Sequence, residues 1–124
     1  MTILTTDLLR RAEANLNRDP IVTANTRWYR ARLTLVCDAD QWDFDIADGW
    51  VKLMDNKDSS CHPQIRIRGN SEDWQPILRG LRGGLHRAFR HKLLSLEGYA
   101  VATLTLWKTI WRLGEALVEV GKED

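Results

Sequence analysis

Cysteine is scarce: two in 124 residues, Cys37 and Cys61, cannot build a disulfide framework. Charged Arg10 and Arg11 precede any apolar run long enough for a secretory leader, so a cytoplasmic chain with reduced thiols is expected. Long hydrophobic runs are missing too, and without about 18 consecutive apolar residues no membrane-spanning helix is expected. Net charge is small, +1 from 18 basic and 17 acidic residues, which removes any global case for nucleic acid. Repeats, low-complexity tracts and linkers are absent, and 124 residues suffice for one core, so residues 1–124 are expected to form a single domain.

Signatures of chemistry are equally thin. Gly80-Leu81-Arg82-Gly83-Gly84 lacks the Gly-Lys-Ser/Thr ending of a phosphate loop. Cys61-His62 offers two metal ligands without a second pair at ligand spacing, so neither metal nor cofactor is expected. No serine stands in a Gly-x-Ser-x-Gly context, and His62, His86 and His91 read as loop or surface histidines. Asp43 and Asp45 share one strand face, where carboxylates keep a sheet edge soluble. No residue is given a catalytic role.

Tryptophan is what the chain has in excess, six of its ten aromatics. Such rings suit places where an apolar body meets a polar edge, among them pocket mouths and membrane interfaces, though a plain core is their commoner use. Charge is also unevenly placed. Residues 1–37 carry +3, 38–58 carry −5, 59–98 carry +4 and 99–124 carry −1, so the first hairpin is acidic and the central helices basic.

Periodicity orders the elements. Thr5, Thr6 or Asp7 can cap a helix whose Leu8, Leu9, Ala12 and Leu16 share a face until Asp19-Pro20 stops it. Alternation predicts a strand from Trp28 to Asp38, with Tyr29, Ala31, Leu33, Leu35 and Cys37 on one side. Trp42, Phe44 and Ile46 mark a second strand, Asp48-Gly49 a tight turn, and Trp50 to Met54 a third strand. Asp55 to Pro63 reads as a polar loop. Ile65 and Ile67 alternate with Arg66 and Arg68, and then Trp74, Ile77, Leu78 and Leu81 form a helical stripe. Either Ser71 or Asp73 can cap that helix, and Asp73 is preferred because it leaves Pro76 in the first turn. Gly80, Gly83 and Gly84 make Leu81 to Lys92 a hinge zone in this reading. A strand to Gly98 and one long helix, Ala100 to Val120, complete the chain, the helix being roughly 31 Å long. Its apolar arc is unusually broad.

The stretch Ile-x-Ile-x-Gly-x-x-Glu-Asp-Trp-x-x-Ile-Leu-x-Gly from Ile65 to Gly80, followed by Ala88-Phe89-x-x-Lys92-Leu93-x-x-x-Glu97-Gly98, resembles the second half of a sterol carrier protein type 2-like domain. Arg18-Asp19-Pro20, the strand from Arg27 to Val36 and the Ile46-Ala47-Asp48-Gly49 hairpin resemble its first half more loosely. His91 and Tyr99 depart from the pattern at two turns. The resemblance implies an α+β fold: an antiparallel-rich mixed sheet of about five strands, helices covering one face, and a hydrophobic cavity between the layers.

It also implies function, namely the non-catalytic binding or carriage of a hydrophobic small molecule such as a lipid, fatty acyl chain, sterol or apolar catabolite. The cavity is expected to be lined by Phe44, Trp74, Ile77, Leu78, Leu81, Phe89, Leu104, Trp107, Ile110 and Trp111. Arg79, Arg82, Arg87 and Arg90 are the candidates for an anionic head group. Two other readings stand beside this one. One is a small cofactor-free lyase or isomerase using Tyr29, His62, His86 or Tyr99 as proton donor; the other is a module that docks on a membrane or partner enzyme through exposed Trp and the basic face.

Overall fold

A computed structural model describes residues 4–54, 65–79, 85, 89, 90, 94–98 and 100–122. The Thr5 hydroxyl accepts the Leu8 amide at 3.1 Å and starts helix α1, Thr6–Asn17, with Leu8, Leu9, Ala12 and Leu16 buried along one stripe. Asp19-Pro20 ends that helix and begins another. The Asp19 carboxylate accepts the Ile21 amide at 2.9 Å, and Pro20 sits in the first turn where its missing N–H is not needed, so α2 runs Pro20–Thr26. This helix shortens the strand expected from Trp28. Strand β1 is Ala31–Cys37, and Trp28 stands 88% exposed in the turn before it.

Strands β2, Asp40–Ala47, and β3, Trp50–Leu53, continue antiparallel, with Asp48 and Gly49 at φ 53° and 83° in the tight turn between them. Strand β4, Ile65–Gly69, lies parallel to β1, and β5, Ser95–Gly98, pairs antiparallel with β4. The result is the expected α+β arrangement, a five-stranded mixed sheet in the order β3-β2-β1-β4-β5. Ala31, Leu33, Leu35, Phe44, Ile46, Val51, Leu53, Ile65 and Ile67 are all buried on the helix side. On the other side opposite charges face one another across the strands, Arg32 by Asp45 and Arg66 by Glu97.

Asp43 corrects the sequence reading. Strand β2 lies inside the sheet, and Asp43 is buried with its carboxylate accepting the Thr34 hydroxyl at 2.6 Å, so it does not guard an edge. The outer edge at β3 is covered by α1 instead. The Asn17 side-chain amide donates to the Val51 carbonyl at 2.8 Å and accepts the Val51 amide at 2.9 Å, while Glu13 accepts the Leu53 amide. Side chains thus satisfy backbone groups that a bare edge would offer to another chain.

Helix α3, Ser71–Leu78, is capped by neither expected residue. Asn70 accepts the Asp73 amide at 2.9 Å and Asp73 accepts the Asn70 amide at 3.1 Å, a reciprocal box that satisfies two orphan donors. Ser71 is engaged elsewhere, donating from its hydroxyl to Asp38 and from its amide to the same carboxylate at 3.2 Å. Pro76 therefore lies inside the helix. The Trp74 indole, fully buried, donates to the Val36 carbonyl at 3.0 Å and pins α3 to β1.

The long C-terminal helix is divided at Leu106 into α4, Ala100–Thr105, and α5, Trp107–Lys122. Asn25 of α2 causes the division. Its side-chain amide donates to the Thr105 carbonyl at 2.9 Å and accepts the Thr109 amide at 3.0 Å, occupying both ends of the bond that a continuous helix would make. The ladder resumes on either side, from Leu106 to Ala102 at 3.0 Å and from Ile110 to Leu106 at 2.9 Å. Helix α5 then packs against α1, α2 and α3, with Leu106, Ile110, Leu113, Leu117 and Val120 buried. Burial of these five side chains contributes on the order of 10 kcal/mol gross, before the entropy of ordering them is subtracted.

Candidate functional site

The region between α3 and α5 is built by two glycines and two rings. At Gly121 a methyl group would stand 2.6 Å from the Leu78 carbonyl oxygen, so only glycine admits this close backbone approach. Seven residues earlier, a methyl on Gly114 would lie 3.0 Å from the Leu85 amide nitrogen. Seven residues earlier again stands Trp107, whose ring meets Phe89 at 6.5 Å between centroids and 38° between planes. Leu78, Leu85 and Phe89 therefore meet α5 in reverse order along the helix, with close backbone approach at Gly121 and Gly114 and a contact between aromatic rings at Trp107.

The expected lining residues divide along this seam. Phe44, Trp74, Ile77 and Ile110 are fully or almost fully buried, and Leu78 is 8% exposed. They form one continuous core with the sheet. Phe89 is half-buried and packed on that core. Trp107 and Trp111 are 38% and 42% exposed, and Leu104, at 74%, faces solvent and not the space between the layers. Leu81 lies outside the described residues. Of the four arginines expected at a head group, Arg79 and Arg90 are exposed, whereas Arg82 and Arg87 lie outside the described residues. The hinge expected over Leu81 to Lys92 falls there as well, apart from Leu85, Phe89 and Arg90.

The proton donors of the enzyme reading are not assembled among the described residues: Tyr29 is half-buried against the core, and His62, His86 and Tyr99 are outside those residues. Cys37 is buried, with its sulfur 3.7 Å from the Ser71 hydroxyl. Burial pushes its thiol pKa up, the Ser71 contact offsetting part of the shift, so it is a poor nucleophile. Among the described residues no group of His, Cys, Asp and Glu is placed to hold a metal, and no helix is long and apolar enough to cross a membrane.

Sequence reasoning missed a cleft of about 290 Å³ on the opposite flank of α5, walled by Leu16, Pro20, Ala116 and the charged Arg18, Glu115 and Glu119. Arg112 donates to Asp19 across it, closing the α1–α2 junction onto α5. Its charged walls do not suit an acyl chain. The two partners are 93 residues apart, and no local pattern announces such a pair.

The architecture is that of sterol carrier proteins. A conserved hypothetical protein from Thermus thermophilus, described as possibly sterol carrier protein, is similar at TM-score 0.65 and 19% identity over 94% of this chain and 87% of its own. A crystal structure of sterol carrier protein 2 is similar at TM-score 0.63 and 19% identity over 96% of each chain. Palmitated SCP2L2 from Aedes aegypti is similar at TM-score 0.57 and 19% identity, over 86% of this chain and 95% of its own. No protein-family model and no curated protein matches the sequence.

Proposed function

We propose that this chain is a non-enzymatic carrier of a hydrophobic small molecule, held between the sheet and the layer made by α3 and α5. The observation that carries the reading is the seam along α5, tight at Gly121 and Gly114 and ending in the contact between the Phe89 and Trp107 rings. Phe44, Trp74, Ile77, Leu78 and Ile110 are the wall in this reading, the Phe89–Trp107 pair is the mouth, and Trp111 is its rim. Arg79 and Arg90, both exposed, suit an acidic head group left in water. That one neighbour of the same fold is described as palmitated supports a fatty acyl chain as the first ligand to test.

The chemistry is burial alone. Each methylene removed from water contributes about 0.8 kcal/mol, so a long acyl chain repays the separation of two aromatic rings without any covalent step. Native mass spectrometry of the protein purified from cells is expected to find a retained apolar molecule. Titration with palmitate, a sterol and an aromatic probe is expected to raise Tm with at least one of them by mass action, and to change tryptophan emission. Leu78→Trp, which fills the wall, is expected to abolish that rise. An unchanged Tm and unchanged emission with all three ligand classes overturn the reading.

A further inference from the structure

The outward side of the C-terminal helices carries a pattern that complements itself when turned end for end. Leu104, Lys108, Trp111, Glu115 and Val118 follow one another at intervals of four, three, four and three residues, which keeps them on one helical face. The first four are exposed, Leu104 by 74%, and Val118 is half-buried. Leu104 and Val118 each lie seven residues from Trp111, about 10.5 Å along the axis. Lys108 and Glu115 flank Trp111 at three and four residues, so from either end the stripe runs apolar, charged, Trp111, charged, apolar, with the two charges of opposite sign. Neither Lys108 nor Glu115 is ion-paired among the described residues. Arg112 adds no free charge to the stripe, since its guanidinium is committed to Asp19 and lies 5.8 Å from the centroid of the Trp111 ring.

We propose that this face pairs with the same face of a second copy of the chain, the two helices running antiparallel about a two-fold axis at Trp111. In a two-fold contact residue i meets j and j meets i, so a surface must complement itself. Reversal of one helix places Lys108 of each copy at Glu115 of the other, Leu104 at Val118, and the two Trp111 rings against one another. Two ion pairs then flank an aromatic and apolar centre, and charges so placed set partner and orientation. A parallel pairing would set Lys108 against Lys108 and Glu115 against Glu115. A partner of another kind would require no such symmetry in this face. Five residues a side are few beside the roughly 20–30 of a standard interface, so the association is weak and depends on protein concentration. Nothing in this pairing depends on the carrier reading.

The test is sedimentation equilibrium of the full chain, without added ligand, between about 1 μM and about 1 mM. The average mass is expected to rise from monomer toward dimer across that range. Lys108→Glu and Glu115→Lys each set like charges together twice, once on either side of the axis. Each is expected to weaken the dimer about tenfold or more at about 0.1 M salt, with unchanged Tm because both side chains are exposed. The double variant Lys108→Glu, Glu115→Lys exchanges the signs and keeps the pattern, and is expected to dimerise within about twofold of the parent. At about 1 M salt, where the screening length falls from about 10 Å to about 3 Å, the parent and single variants are expected to converge. A parent that stays monomeric to about 1 mM overturns the proposal. A single variant that dimerises like the parent overturns it too, as does a double variant that dimerises no better than the single ones. Each of these results leaves the ligand titration to decide the carrier reading separately.

Discussion

The C-terminal helix has two apolar sides that meet different surroundings. Leu106, Ile110, Leu113, Leu117 and Val120 are at most 1% exposed, whereas Val101, Leu104, Trp107 and Trp111 are between 38% and 74% exposed. Composition does not separate the sides, since both are rich in large apolar residues. What separates them is the number of protein layers available: α1, α2 and α3 cover one side of α5, and among the described residues no further element covers the other. Apolar character is therefore no measure of burial here.

The sharpest way to break this comparison is to truncate one residue on each side. Leu113→Ala is expected to lower unfolding free energy by about 2–5 kcal/mol, because a cavity remains inside a packed core. Leu104→Ala is expected to change it by less than about 0.5 kcal/mol. Urea denaturation measures both, and equal effects would mean that the outward face is covered within the chain.

Asn25 tests the division of the helix. Asn25→Ala leaves the Thr105 carbonyl and the Thr109 amide without the amide that bridges them, and a loss of about 1–3 kcal/mol is expected if they stay apart. A smaller loss, with a Thr105–Thr109 bond in the structure of the variant, would show that the helix closes when the wedge is removed.

Gly121 sharpens the contrast between the two ends of the seam. In an ordinary helix interior Gly→Ala gains up to about 1 kcal/mol. Gly121→Ala is expected to lose about 1–2 kcal/mol in urea denaturation, because its methyl meets the Leu78 backbone.

The smallest effect concerns Cys37. Its folded-state pKa is raised by burial, so the neutral thiol is favoured in the native protein, and that contribution is present below the unfolded thiol pKa of about 8.5 and lost as pH rises through the higher folded value. In a Cys61→Ser background, alkylation of Cys37 at neutral pH is expected only as fast as the protein opens. Labelling at the rate of a free thiol would show that the site is accessible in the folded state.

Much of this was legible along the chain because the signals are local. The stripe Leu8, Leu9, Ala12 and Leu16, the alternation through Leu33, Leu35, Phe44, Ile46, Ile65 and Ile67, and the Asp48-Gly49 turn each depend on a repeat of two or of three to four residues, and each stands where its period put it. Local signals failed where one residue had two uses. Asp19-Pro20 both stops a helix and starts one; Ser71 was free to cap α3 but is held by Asp38, leaving the box to Asn70 and Asp73. The wall of the candidate site was expected from apolar spacing together with the family resemblance, and neither places Ile110 in the core and Leu104 in solvent.

The sequence by itself determined α1, the alternating strands, the α+β class and an amount of apolar helix surface greater than one sheet face can cover, but not α2 or the division of the C-terminal helix, because only the former follow from side-chain periodicity and from the size of a single small core. The tertiary structure alone decided where that surplus points. Asn25 reaches 80 residues along the chain to Thr105 and divides the helix, Gly121 and Gly114 bring α5 against Leu78 and Leu85, and Phe89 meets Trp107. Each is a contact between residues distant in sequence, set by how the layers close on one another, and no local period encodes it.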